Sequence, residues 1–81
     1  MPDISATFSS DYSESRKWVI VDTGRDPNAP PVVFDGYLEP NGVTPPIALY
    51  SDGFGAHVTY QRSDGAPTNV DVSDGDAVRM S

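Results

Sequence analysis

At 81 residues the chain is one domain, 1–81, with a thin core, because a chain this short buries only about 60–65% of the surface its unfolded form exposes. Its formal charge of −7 argues against direct binding to nucleic-acid phosphates or anionic lipid, which need clustered Lys and Arg; of Arg16, Lys17, Arg25, Arg62 and Arg79 only the first two adjoin. It holds no cysteine for disulfides, and no stretch nears the ~20 apolar residues of a membrane-spanning helix.

Taken in chain order, the hydropathy pattern predicts strands and almost nothing else. Ile4, Ala6 and Phe8 interleave with Ser5, Thr7 and Ser9, a period of two that predicts a half-buried strand over 3–9. Residues 10–15 carry Asp11 and Glu14 at capping-box spacing, which predicts a single helical turn. Trp18-Val19-Ile20-Val21 is apolar on both faces and predicts a central strand over 17–22. Val32-Val33-Phe34 and Ile47-Ala48-Leu49-Tyr50 read as short buried strands within 32–38 and 47–51. In the last third, Ala56, Val58 and Tyr60 alternate with His57, Thr59 and Gln61; Val70 and Val72 flank Asp71; Val78 and Met80 flank Arg79. These predict a three-stranded meander over 55–62, 68–73 and 76–80.

The connections carry most of the punctuation. Asp35-Gly36, Asp52-Gly53, Asp64-Gly65, Asp74-Gly75 and Asn41-Gly42 are turn signals. They suit type I′ hairpins, in which both central residues need positive φ. The segments between the Ser-Asp-Gly tripeptides do not resemble one another, so shared turn chemistry explains them better than a repeat. Two longer loops, 23–31 and 39–46, contain Pro27, Pro30, Pro31 and Pro40, Pro45, Pro46. Proline fixes φ and removes a donor, so both are stiff and non-strand. The expected fold is all-β: a small antiparallel β-barrel or β-sandwich of about six or seven short strands ending in the meander.

The residues bear on several chemistries. Asp22-Thr23-Gly24 follows an apolar run and resembles the active-site signature of aspartic proteases, in which two carboxylates share a proton. Arg25 stands where that family usually has Ala or Ser, and no later apolar-Gly-Arg segment follows; an ordinary strand-ending turn explains the tripeptide. Asp71, Asp74 and Asp76 alternate like calcium ligands, but no EF-hand glycine or twelfth-position carboxylate is in register. His57 is the sole histidine, reads as a solvent-facing strand residue and has no cluster of zinc ligands around it. Nothing marks a nucleophile, a phosphate loop or a dinucleotide fingerprint. The expectation is a non-enzyme without cofactor.

The expected role is a structural or interaction module that docks on a larger protein assembly, such as a viral capsid decoration (cement) or adaptor subunit, with a protein partner or further copies of itself and with neither nucleic acid nor membrane. The N-terminal strand is expected to be able to reach a neighbour. Met1-Pro2-Asp3-Ile4 lacks the basic start and apolar run of a signal peptide, so the expected location is the cytoplasm or a virion. Contact candidates are the aromatics at strand ends and loops, Tyr12, Tyr37 and Phe54, and the stiff loop residues Pro30, Pro31, Pro45 and Pro46. A small ligand-binding module for carbohydrate or calcium is the alternative, and an acidic inhibitor mimicking nucleic acid the third.

Overall fold

A computed structural model describes residues 3–81; Met1 and Pro2, which open the segment read for a leader peptide, lie outside the described residues. Seven strands follow one another: β1 (Ile4–Ser10), β2 (Arg16–Val21), β3 (Val32–Leu38), β4 (Ile47–Leu49), β5 (Ala56–Arg62), β6 (Thr68–Val72) and β7 (Ala77–Met80). They form two sheets, one ordered β4-β1-β7 and the other β3-β2-β5-β6. The result is a small sandwich, not a closed barrel.

The period-two patterns set which side chains meet between the sheets. Ala6 and Phe8 from β1, Ile47 and Leu49 from β4 and Met80 from β7 face Trp18, Ile20, Leu38, Ala56, Val58, Tyr60 and Val72 in one core. The Trp18 ring packs tilted against Tyr60, with centroids 6.0 Å apart. β2 lies between β3 and β5, the central place its two-sided apolar run requires. β1 is also central. β4 pairs antiparallel with Ile4–Ala6, Val43 and Thr44 from the second proline-rich loop pair with its later residues, and β7 runs parallel along Thr7–Ser10. Phe8 N–H donates to Thr44 Oγ1, and Thr44 N–H donates back to Phe8 O. The N-terminal strand is therefore not an arm that reaches a neighbour, because both of its edges are taken within the chain.

The predicted meander is half right. β5 and β6 form an antiparallel hairpin, but β7 leaves that sheet and joins β1 in the other. The turn at 73–76 explains the departure. Gly75 N–H donates to Ser5 O, Ser5 N–H donates to Asp74 Oδ1, and Thr7 N–H donates to Asp76 O. The turn is thus stitched to the start of β1 and delivers the chain to the opposite sheet.

The turn chemistry also differs from expectation. Asp35-Gly36 lies inside β3, where Gly36 pairs with Trp18. Asp52-Gly53 and Asp74-Gly75 lie in connections between sheets, and only Asp64-Gly65 closes a hairpin. Asn41 is the one non-glycine with positive φ among the described residues, so none of these Asp residues adopts the I′ conformation. The 39–42 turn has Pro40 in second place, Asn41 at φ 61 in third and Gly42 N–H donating to Glu39 O, the pattern of a type II turn. Gly55 is needed as glycine: its φ is +146, and a Cβ there would sit 2.8 Å from Val72 O.

Residues 10–15 form bends instead of the expected helical turn. The capping groups are spent elsewhere: Asp11 pairs with Arg79, Glu14 pairs with Arg16, and Tyr12 N–H donates to Ser10 Oγ. The run Val32-Val33-Phe34 is less buried than expected, because β3 is an edge strand; Val32 is exposed, and Val33 and Phe34 are half-buried.

Candidate functional site

Three groupings of side chains bear on the chemistry of the described residues. The first is Asp22, whose side chain is wholly buried. Its Oδ2 accepts the Tyr50 N–H at 2.9 Å and lies 3.4 Å from Arg25 Nε, while its Oδ1 accepts the Arg25 N–H at 3.3 Å. Thr23 Oγ1 and Gly24 N–H both donate to His57 O. Asp-Thr-Gly here ties the end of β2 to β5 and to the residue after β4. A carboxylate so enclosed cannot face the same group of a second copy, as a shared-proton dyad requires.

The second grouping surrounds His57, on the outer face of β5. Its Nδ1 lies 2.8 Å from Asp71 Oδ1, across the β5–β6 hairpin, and its Nε2 lies 2.8 Å from Asp52 Oδ2 in the β4–β5 loop. Two carboxylates favour the imidazolium, which can donate to both. The hydrogen bonds to Asp52 and then Asp71 raise the His57 pKa above its ordinary 6.5. Asp52 is held below its ordinary range, first by the Phe54 N–H and next by His57. With both ring nitrogens engaged, His57 is placed as a bridging cation and not as the base of a nucleophilic triad. Among the described residues, no group of three or more His, Cys, Asp or Glu is disposed to hold a metal ion. Asp74 and Asp76 are occupied with the N–H groups of Ser5 and Ser73, and Asp71 with His57, so the three carboxylates considered for calcium have separate structural partners.

The sign of the pH dependence follows. The raised pKa gives a stabilisation that is complete below pH 6.5 and is lost as pH rises through the folded-state value. The lowered pKa of Asp52 gives a stabilisation present above its ordinary value and lost as pH falls through its folded one. NMR titration of the imidazole is expected to give a midpoint above 6.5, and Asp52→Asn is expected to lower it. A midpoint unmoved by Asp52→Asn contradicts the bridge.

The third grouping is an apolar cleft of about 430 Å³ between β3 and β4. Its lining is Val33, Phe34, Pro45, Pro46, Ile47 and Ala48, with no charged or hydrogen-bonding side chain among them. The two strands are the edges of their respective sheets on that side of the sandwich, so the cleft is the gap where the sheets part. The second proline-rich loop is pinned to β1 by Thr44 and holds Pro45 and Pro46 at its rim.

Of the contact candidates, the structure brings only Pro45 and Pro46 together, in this cleft. Tyr37 is 72% exposed on the outer face of β3, and Phe54 is 97% exposed at the tip of the β4–β5 loop. Tyr12 is half-buried beneath Arg62, whose guanidinium lies 3.9 Å from the ring centre, with Arg16 at 5.3 Å. Pro30 and Pro31 are half-buried, and Pro31 O accepts the Asp22 N–H. Val33, Phe34 and Ala48 are missed as surface residues because their runs read as core; Ile47, which is core, also lines the cleft. The His57–Asp71 pair had a signal: a hairpin turning at Asp64 sets position 57 opposite 71.

Charge is unevenly spent. All five basic residues are in ion pairs: Arg16 with Glu14 and Asp64, Lys17 with Asp35, Arg25 with Asp3 and Asp22, Arg62 with Asp64, and Arg79 with Asp11. Asp26, Glu39, Asp74 and Asp76 have no such partner among the described residues. These four lie in three separate loops rather than in two phosphate-like rows. Comparison with protein-family models, with curated proteins and with solved structures finds no match to this chain.

Proposed function

We propose that this protein is a non-enzymatic interaction module that docks on a larger protein assembly, as a decoration or adaptor subunit does. The observation that carries the reading is apolar surface left uncovered by so small a domain: the cleft between β3 and β4, with Tyr37 and Phe54 standing in solvent. A thin core has few large apolar side chains to spare, and exposed aromatics are the groups most often used as interface anchors. A sugar-binding site needs convergent polar side chains beside an aromatic platform, and the cleft lining supplies no polar side chain, so docking is favoured over carbohydrate binding.

The test is the native mass of the protein in extracts of the cell that makes it. Migration with a large complex is expected, and the double variant Tyr37→Ser/Phe54→Ser is expected to lose it while keeping the fold, since both side chains lie outside the core. A wild-type chain that migrates as a free 8.7 kDa monomer and binds nothing at high concentration overturns the reading.

A further inference from the structure

Resting on the docking reading, we propose that the open edge of β3 is a strand-addition site for an extended segment of a partner protein, apolar at its centre and basic at its ends.

The four sheet edges are not equivalent. β4 has three residues and is preceded by Pro45 and Pro46, which lack N–H donors; β7 has four residues. β6 has five, with Thr68, Asn69 and Asp71 exposed. β3 has seven residues, pairs only with β2, contains neither proline nor lysine, and borders the cleft through Val33 and Phe34. Natural proteins usually blunt an exposed edge with charge, proline or a covering segment, and an edge left long and bare is a template for another chain. An added strand would take its main-chain hydrogen bonds from β3 and set alternate side chains into the cleft, so the recognition is β-augmentation with an apolar pocket.

Charge specifies the occupant. Asp26 lies in the loop before β3 and Glu39 directly after it, and neither has a cation partner within the described chain. At mid-strand Asp35 is already paired with Lys17. The strand itself, about 23 Å long at 3.3 Å per residue, thus carries no unpaired charge, with Glu39 at its end and Asp26 in the loop that leads into it. An arriving Lys or Arg finds Glu39 without a cation partner after the strand and Asp26, whose Oδ1 accepts only the Asn28 and Ala29 N–H groups, in the loop before it, whereas an arriving carboxylate finds every basic side chain already engaged. A second copy is disfavoured, since it would bring another −7 onto the same acidic rim.

The probe is the blocked peptide Lys-Thr-Val-Leu-Val-Thr-Lys, titrated into 15N-labelled protein at low salt. Shifts are expected along Val32–Leu38 and at Ile47 and Ala48, with little response to a peptide carrying Glu in place of both Lys. Asp26→Asn/Glu39→Gln removes the charge while leaving an acceptor oxygen at each position, and is expected to weaken binding about tenfold. Ala48→Arg crowds the cleft from an exposed position and is expected to weaken it at least as much, with Trp18 fluorescence unchanged. Shifts centred on another face, equal binding of the Glu peptide, or a concentration-dependent dimer that shields β3 each overturn the inference. In cell extracts, an Ala48→Arg chain that still migrates with its complex while Tyr37→Ser/Phe54→Ser does not would reject the β3 edge and leave the docking reading standing. Loss of the complex with Ala48→Arg supports both.

Discussion

Asp22→Ala is expected to remove a large share of the stability of this protein. The substitution leaves the half-buried Tyr50 N–H without its acceptor, leaves the Arg25 N–H only the Asp22 main-chain oxygen, and frees the Arg25 guanidinium. The stranded Tyr50 donor costs about 1–3 kcal/mol, and losing the contact with the partly exposed Arg25 guanidinium adds up to about 1 kcal/mol, for a total of about 2–4 kcal/mol. A domain of this length has about 4–12 kcal/mol in all. Asp22→Asn keeps one acceptor oxygen and is expected to cost about half as much. Arg25→Ala removes only a partly exposed partner and is expected to cost less than about 1 kcal/mol. Urea unfolding followed by Trp18 fluorescence measures all three, because Trp18 is the only tryptophan and is fully buried. An Asp22→Ala protein within about 1 kcal/mol of wild type would show that this carboxylate is not the clamp described.

The strands were legible because burial on one face of a sheet imposes a two-residue period, and Ala6/Phe8, Trp18/Ile20 and Ala56/Val58/Tyr60 all obey it. The order of those strands in the sheets was not. Nothing in Val78-Arg79-Met80 distinguishes a strand beside β6 from one beside β1; the choice is made by hydrogen bonds between the 73–76 turn and Ser5, residues almost a chain length apart. Asp-Gly was read correctly as turn chemistry at Asp64, but at Asp35 the glycine serves a strand. His57 and Asp71 could be paired from the register of one hairpin, whereas Asp52 joins them only because the β4–β5 loop folds back over β5. The cleft was hidden for a related reason. Val33, Phe34 and Ile47 are apolar in the manner of core residues, and only the parting of β3 from β4 leaves a gap between them. Local pattern therefore yields elements and their faces, while edges and clefts depend on contacts distant in sequence, and the proposed partner surface is made of both.

The crossover of β7 makes the second large prediction. Met80 is fully buried in the core, and its carbonyl accepts the Asp11 N–H at 2.7 Å. Met80→Ala is expected to cost about 2–5 kcal/mol, through lost transfer energy and the cavity left behind. Arg79→Ala, one position away on an exposed side chain paired with Asp11, is expected to cost less than about 1 kcal/mol. Removing 77–81 strips Val78 and Met80 from β1 and bares the backbone of Thr7–Ser10, so the shortened chain is expected to show no cooperative unfolding transition. Stability alone does not place the strand, because Met80 would also be buried beside β6. Hydrogen exchange does: with β7 on β1, the Asp11 amide is protected in wild type and loses protection with Met80→Ala well before the β5–β6 hairpin amides do. Protection of the β6 outer edge instead would return β7 to the meander, free one edge of β1, and give the molecule a second bare strand to compete with β3 for a partner.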